Sequence, residues 1–525
     1  MGTAVTNAIV RSIRAVRAKY PRALALGVLT LSMAVLGSPG GLSSAQAARG
    51  PSVGAALGSL QRAGAITAAS YQQYYTAFLA AQRSLKKLSA TRHTELAGVL
   101  TNVQAIAAAG GFIPSRLPAL FMTLERNRQW WTTGPLLSGG ARVSFPKSKL
   151  VWEYYPGQGL EIQWLGTFGE GNGYYLSGHE NANLRQLVSE IIPLATKRAG
   201  GIAWEYMFQF DGGLPPWTSG LSQGTALQVL TRAWSRLKEP ADLTAAQEAL
   251  GLFQTAPPNG VRVTSAIGAH YLEYTYAPRD RILNGEIQTL VGLYDYTSIT
   301  KDPLGLKLFE AGDAEARARV PMYDTGGWSM YDQFGESDLS YHELLTEFLK
   351  HLCERTGKGE PLSAVTPAPA PTPAPTPTPA PPAPATGGTA GEGAPPSAAR
   401  YTARSASANA VSPAISADAI YCTTAGRFTA DLHTPPAIAL LTSTLRGGTR
   451  GGVQISLSKV SNVGLTIRRG GKVVWTNRAT LEHGKPRLLW LTPKNKPGAY
   501  SVTLTATDLA GNSASAAGTV IVTSR

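Results

Sequence analysis

Tyrosine stands beside a carboxylate or a histidine at several places in the sequence, and these residue types can transfer protons. A phenol donates a proton and its phenolate accepts one, but an ordinary tyrosine pKa of about 10 requires assistance from neighbouring groups near neutrality. Aromatic faces also stack on sugar rings, and carboxylates bond sugar hydroxyls, so the pattern favours a sugar-binding cleft. The stretches are Glu153-Tyr154-Tyr155, Glu205-Tyr206, Glu273-Tyr274-Thr275-Tyr276, Tyr294-Asp295-Tyr296, Tyr323-Asp324, Tyr331-Asp332 and Tyr341-His342.

Helices joined by aromatic loops must position these residues. Apolar residues at three- and four-residue spacing predict a helical region over 53–132, and Gly-rich aromatic pieces over 141–175 predict strands or hairpins. We expect a mainly α catalytic region, an incomplete α/α barrel with β-hairpins, whose loops hold the site. Its helices are predicted at Asn183–Arg198, Ser222–Leu237, Thr244–Phe253, Gly285–Tyr294, Leu304–Val320 and Tyr341–Cys353.

A proline-rich stretch separates this region from a β-rich tail. Residues 367–384 alternate Pro with Ala or Thr, which favours a stiff spacer of about 55 Å. Six alternating runs over residues 452–522 predict a C-terminal all-β sandwich of the immunoglobulin-like or fibronectin-like kind. The predicted division is a signal peptide (1–47), an N-terminal helical region (48–140), a catalytic domain (141–361), a disordered linker (362–398) and a basic β-sandwich (399–525).

The net charge of +15 is concentrated at the two ends of the chain. Residues 1–47 hold five basic and no acidic side chains, residues 399–525 hold 15 and 4, and residues 48–361 hold 28 of each. This distribution argues against nucleic acid as a partner. It favours an anionic cell-surface polymer as a partner of the basic tail, or a charge that only maintains solubility.

The N-terminus resembles an export signal. Five basic residues precede the apolar run Ala23–Leu36, and Ala45-Gln46-Ala47 forms a cleavage pattern. We expect a secreted protein cut after Ala47 that has no membrane association after cleavage. The chain has only two cysteines, Cys353 and Cys422, too few for a disulfide scaffold or a cysteine-rich zinc site.

Familiar catalytic signatures are absent from the sequence. It contains no H-E-x-x-H, G-x-S-x-G, Walker or C-x-x-C motif. Beyond the pair His342 and His351, the seven histidines show no metal-ligand spacing, and we expect neither a metal nor a cofactor.

Six segments, in order over roughly residues 150–355, resemble the D-glucuronyl C5-epimerase family. They begin with Tyr154–Leu160 and Trp217–Gly224, followed by Glu273-Tyr274. The last three are Leu283–Asp295, Pro321–Asp332 and Ser340-Tyr341-His342.

The resemblance implies inversion of carbon 5 in glucuronic acid residues of a heparosan-type polysaccharide, giving iduronic acid. Such a reaction needs a base on one sugar face and an acid on the other. On this interpretation Tyr341 transfers a proton on one face, Glu273 with Tyr274 serves the other, and Tyr331 orients the substrate carboxylate. Further substrate-binding residues implied are Tyr155, Trp217, Gln223, Tyr323 and His342.

The chain departs from the better-known animal members at two positions. Gln333 stands where an arginine follows the Tyr-Asp turn, and Leu345 replaces a second histidine. Arg279 or Arg281 is therefore expected to bind the substrate carboxylate. Two other functions fit the same residues: a uronate polysaccharide lyase, and a non-catalytic protein that binds acidic glycans or the cell wall.

Overall fold

The computed structural model describes residues 50–357 and 419–524. The predicted signal peptide (1–47) and linker (362–398) lie outside the described residues. Within the described ranges, no helix combines the length and the apolarity needed to cross a bilayer.

The first described range is mainly helical, with short antiparallel strands between the helices. The helices are α1 (Val53–Arg62), α2 (Ala68–Leu85), α3 (Ala90–Ala108), α4 (Leu117–Thr133), α5 (Trp164–Ser177), α6 (Asn181–Ile191), α7 (Gly220–Leu237), α8 (Pro240–Ala249), α9 (Gly251–Gln254), α10 (Leu283–Thr300), α11 (Pro303–Arg319) and α12 (Leu339–Thr356). The strands are β1 (Arg142–Val143), β2 (Trp152–Tyr155), β3 (Gly159–Ile162), β4 (Thr196–Arg198), β5 (Gly201–Ala203), β6 (Arg262–Thr264) and β7 (Ala269–Tyr271). They form three small sheets, β1–β2–β3, β4–β5 and β6–β7.

The second described range consists of one helix followed by two sheets, which share one hydrophobic core. The elements are α13 (Ile420–Asp431), β8 (Ile438–Leu440), β9 (Thr444–Arg446), β10 (Arg450–Leu457), β11 (Ser461–Arg469), β12 (Lys472–Leu481), β13 (Arg487–Leu491), β14 (Gly498–Asp508) and β15 (Ser513–Thr523). One sheet has the order β13–β10–β8, and the other β12–β11–β14–β15–β9. The β-rich tail is therefore present, while its immunoglobulin-like identity and the α/α barrel stay predictions.

Helices α7, α10 and α12 hold the centre of the helical part. Glycines 224 and 292 let α7 and α10 touch closely, since a β-carbon at Gly224 would lie 2.7 Å from the Cα of Thr289. Burial alone would raise the pKa of Asp295 on α10, but the guanidiniums of Arg232 on α7 and Arg355 on α12 lower it to about 2. This ionised carboxylate ties the three helices together.

Helix α13 packs with the helical part rather than with the sheets. Ile420, Tyr421, Ala425 and Phe428 join the hydrophobic core that runs from α1 to α12. A disulfide joins Cys353 on α12 to Cys422 on α13, with the two Cα atoms 4.9 Å apart. The predicted division places residues 420–431 in the basic β-sandwich (399–525), whereas their buried side chains pack in the helical core. The two cysteines, too few for a disulfide scaffold, form a single disulfide.

Candidate active site

Glu273 lies on an extended segment between β7 and α10. Its carbonyl accepts a hydrogen bond from the N–H of Gly220 at 3.1 Å, where helix α7 begins. The residue is 7% exposed, and its Oε2 faces Gly285 in the first turn of α10. Helix α7 therefore anchors the backbone of Glu273, and helix α10 packs against its carboxylate.

Burial makes Glu273 a proton acceptor suited to neutral pH. Desolvation raises its pKa to about 7, although a hydrogen bond with Tyr274 opposes part of the rise. Among the described residues, no hydrogen-bond partner reaches its Oε2. A carboxyl group with a pKa near the working pH can accept and release a proton in turn.

Tyr331 and Tyr341 approach this carboxylate from a hairpin and the helix after it. We call residues 328–337 the tyrosine hairpin; the N–H of Tyr331 donates to the Gly335 carbonyl at 2.9 Å. Tyr341 lies in the first turn of α12, where Asp338 caps the helix by accepting from the Tyr341 N–H at 2.8 Å. Hairpin and cap thus present both phenols on one side of the fold.

The two phenols interact with each other and with Glu273. Their ring centroids are 4.7 Å apart, and hydrogen bonds connect Tyr331 to Tyr274 and to Tyr341. Desolvation raises the pKa of Tyr341 to about 12, and the negative charge of Glu273 adds to the rise. Tyr341 is nevertheless 39% exposed. It is therefore a neutral phenol within reach of a ligand, and so a proton donor.

An aromatic wall adjoins Glu273. Tyr274 and Tyr276 alternate along the extended segment, so they share a face, and their rings stack with centroids 5.2 Å apart. Phe210 lies 6.0 Å from Tyr274, and Tyr155 lies 6.2 Å from Phe210. Trp217 is only 4% exposed and packs behind this wall. A flat sugar face can stack on such rings.

Phe210 and Tyr276 are site residues to which the sequence assigns no role. The alternation in Glu273-Tyr274-Thr275-Tyr276 is the available signal for Tyr276, because every second side chain of an extended segment faces the same way. Phe210 has no comparable signal, since it reaches the wall through the loop after β5.

Two residues expected to bind substrate are instead occupied within the fold. The amide of Gln223 is buried and donates to the carbonyls of Ile202 and Ala249 at 2.9 and 3.0 Å. The hydroxyl of Tyr323, a residue 4% exposed, donates to the Arg281 carbonyl at 2.5 Å. Neither placement supports contact with a substrate.

His342 is likewise a packing residue. It is 0% exposed, its ring stacks on Trp328 with centroids 3.8 Å apart, and burial lowers its pKa to about 4. Its Nε2 donates to the carbonyl of Phe428 at 3.0 Å, while Nδ1 accepts from the N–H of Ser329 at 3.2 Å. Both nitrogens are in use, so the proposed substrate-binding role is corrected.

The two candidate arginines lie on the loop that connects Glu273 to α10. Arg279 is exposed, and Arg281 is half-buried, with its guanidinium donating to the carbonyls of Pro278 and Asp280. Gln333 binds this loop: its Oε1 accepts from the Arg281 N–H and its Nε2 donates to the Arg279 carbonyl, both at 2.9 Å. Arg279 is the better placed of the two to meet a carboxylate in solvent.

In the ranges 50–357 and 419–524, no three His, Cys, Asp or Glu side chains come together as metal ligands.

Comparisons with known proteins identify the part of the chain that carries these residues. Residues 199–365 match the family model of the D-glucuronyl C5-epimerase C-terminus. This range includes Glu273, Tyr274, Tyr331 and Tyr341, whereas Tyr155 lies before it.

Two curated relatives overlap only part of the chain. A D-glucuronyl C5-epimerase of Caenorhabditis elegans is 33% identical over 133 residues, which are 23% of this chain and 22% of that protein. An uncharacterized protein of Methanocaldococcus jannaschii is 25% identical over 169 residues, which are 31% of this chain and 55% of that protein. The chain spans less than two thirds of either relative. The part of the chain at residues 199–365 is therefore similar to the C-terminal part of the D-glucuronyl C5-epimerases.

Proposed function

We propose that this protein is an exported epimerase that inverts carbon 5 of glucuronic acid residues within a polysaccharide, giving iduronic acid. The observation that carries the proposal is the buried Glu273, with a pKa raised to about 7, beside Tyr274, Tyr331 and Tyr341. A base near neutrality and a neutral phenol are the two groups that such an inversion requires.

In the proposed reaction Glu273 takes the carbon-5 proton from one sugar face, breaking the C–H bond and leaving an enediolate. Tyr341 then gives its phenolic proton to the other face and becomes a phenolate. The hydrogen bond from Tyr331 supports that phenolate. The enediolate itself needs a cation or hydrogen-bond donors, and we assign this role to Arg279.

The difference in pKa between the two groups decides their roles. Tyr341, with a pKa of about 12, carries almost no phenolate at neutral pH, so it acts as the acid toward glucuronate. For the reverse reaction, the proton on Glu273 and the phenolate of Tyr341 must persist from the previous turnover. Tyr274 and Tyr331 form hydrogen bonds between Glu273 and Tyr341. They offer a route by which the proton on Glu273 returns to the Tyr341 phenolate and restores the resting state.

Export is supported by two independent features. The N-terminal sequence has the order of a signal peptide. The disulfide between Cys353 and Cys422 fits an oxidising compartment, since structural disulfides are rare in the cytosol.

The test is incubation with glucuronic-acid polymers in heavy water. We expect deuterium at carbon 5, iduronic acid in the product and unchanged chain length. An unsaturated uronate would indicate a lyase instead. If no deuterium is incorporated into heparosan, chondroitin or other glucuronic-acid polymers, the remaining interpretation is a non-catalytic glycan-binding protein.

A further inference from the structure

The tyrosine hairpin has a second surface, turned toward the C-terminal range 419–524. Glu336 lies there with its side chain 1% exposed and paired to the ring of His483 at 3.2 Å. Its carboxylate also accepts from the N–H groups of His483 and Val460, at 2.7 and 3.1 Å. The start of β11 and the loop after β12 therefore share one carboxylate of the hairpin.

Glu336 lies opposite Met330 in the tyrosine hairpin, and Met330 is the residue before Tyr331. Met330 and Glu336 form an antiparallel bridge, and the N–H of Tyr331 bonds the Gly335 carbonyl. A displacement of Glu336 would move the backbone of Tyr331, whose carbonyl also accepts from the N–H of Leu283 in α10. Through Tyr331 it would reach Tyr341, whose ring is 4.7 Å away.

The base of the hairpin is held from the same side. Trp328 stacks on His342, and the ammonium of Lys459 lies 5.4 Å from the Trp328 ring centroid. Lys459 is itself buried and paired with Asp508 at 2.7 Å. His342 donates to the Phe428 carbonyl on α13.

A further ion pair and the disulfide fix the position of this part. Arg427 on α13 pairs with Asp324 at 2.6 Å, just before the hairpin. Cys422 on the same helix is bonded to Cys353 on α12, the helix that carries Tyr341. The C-terminal range is thus attached to both elements that present the phenols.

We propose that residues 419–524 complete the active site by positioning the tyrosine hairpin, with Glu336 as the positioning residue. The role is distinct from holding a polymer at the end of a spacer. It rests on the proposed epimerase function for its kinetic consequence only, because the position of the hairpin is measurable without turnover.

The test compares the full-length wild-type protein with Glu336→Gln, which keeps the size of the side chain and removes its charge. Glu310→Gln, an exposed carboxylate on α11, is the matched control. We expect Glu336→Gln to lower kcat for deuterium incorporation about tenfold while KM stays within about threefold, as for a loss of alignment rather than of binding. His483→Gln should give a smaller decrease in the same direction, because the backbone donors to Glu336 remain.

Backbone hydrogen exchange, followed by mass spectrometry on the same variants, supplies the second measurement. We expect faster exchange over residues 323–341 in Glu336→Gln and wild-type exchange in Glu310→Gln. Exchange and kcat both at the wild-type level in Glu336→Gln would overturn the positioning role. A wild-type protein without epimerase activity would overturn the proposed function alone, since the hairpin measurement would still decide this inference.

Discussion

The carboxylate of Glu273 packs so closely on Gly285 that a β-carbon at position 285 would lie 2.7 Å from Oε2 and 3.0 Å from the Glu273 Cβ. Only a residue without a side chain leaves room for the carboxylate at the first turn of α10. This contact explains why a glycine occupies a helical position, where it costs about 1 kcal/mol relative to alanine.

Gly285→Ala should therefore remove most activity without unfolding the protein. The added methyl group must push Glu273 out of place, and a misplacement of about 1 Å can cost on the order of 10²-fold in rate. Deuterium incorporation and thermal unfolding, measured on one preparation, separate the two effects.

Gly426→Ala is the matched control for this substitution. Gly426 lies in helix α13, and no atom lies within 4 Å of the position that a β-carbon would take there, so the methyl group meets open space. We expect unchanged activity and a stabilisation of about 0.5–1 kcal/mol. Equal activity in Gly285→Ala and Gly426→Ala would contradict the assignment of Glu273.

Glu273→Gln should abolish turnover and change the pH dependence of stability. The wild-type carboxyl has a pKa raised from 4.5 to about 7, so the folded state binds its proton more tightly than the unfolded state. This tighter proton binding stabilises the folded protein below pH 4.5. The stabilisation is lost as the pH rises to about 7, which lowers the free energy of unfolding by about 3 kcal/mol at most. The glutamine variant lacks this loss, so its stability relative to wild type should increase between pH 5 and 8.

Denaturant unfolding at several pH values checks this stability prediction. Glu310→Gln again serves as the control, because it removes a carboxyl group from the exposed surface of α11. A glutamine variant at position 273 whose stability follows the wild-type pH profile would show that the carboxyl is not buried as described.

Tyr341→Phe should lower deuterium incorporation by about 10²–10⁴-fold, the typical cost of removing one positioned acid or base. The ring and its contact with Tyr331 remain, so polymer binding should stay within a few-fold. Tyr276→Phe, on the aromatic wall, is the comparison, because only stacking is assigned to that ring. Similar losses in both variants would place Tyr341 among the packing residues.

Cys353→Ser should weaken the attachment of the C-terminal range. The disulfide closes a loop between residues separated by 69 positions. A loop of that length corresponds to about 4 kcal/mol of stabilisation in the chain-entropy description. We expect a lower midpoint of chemical unfolding and a lower kcat, and Cys422→Ser should match it. Reductant should affect the wild type in the same way and leave either variant unchanged.

The helices around the site can be predicted because their apolar residues follow a regular spacing. Helix α10 is expected at Gly285–Tyr294 and extends over Leu283–Thr300. Helix α6 ends at Ile191 rather than Arg198, because Pro193 lacks the N–H that the next turn would need. Helix α5 escapes prediction because its four glycines weaken the helical signal, although burial of Trp164 and Phe168 holds it in place.

Hydrogen-bond partners that lie far apart in the sequence could not be predicted in the same way. The residue types of His342 and Gln223 suit a ligand, but each side chain donates to a backbone carbonyl supplied by another element of the fold. Glu336 carries no sequence signal at all, because its three contacts come from Val460 and His483, which lie more than 120 positions away. By contrast, the neighbours Glu273 and Tyr274, and the pair Tyr331 and Tyr341, come together as their chain order suggests.

Cys353 and Cys422 also determine what a proteolytic nick would do. Their bond joins the chain on both sides of residues 358–418, so cleavage at any peptide bond in that stretch would yield two polypeptides that remain one covalent molecule. Such a two-chain form would migrate as a single band on a denaturing gel until a reductant separated its fragments. Processing between the proline-rich residues would therefore be compatible with an intact hairpin and an intact site.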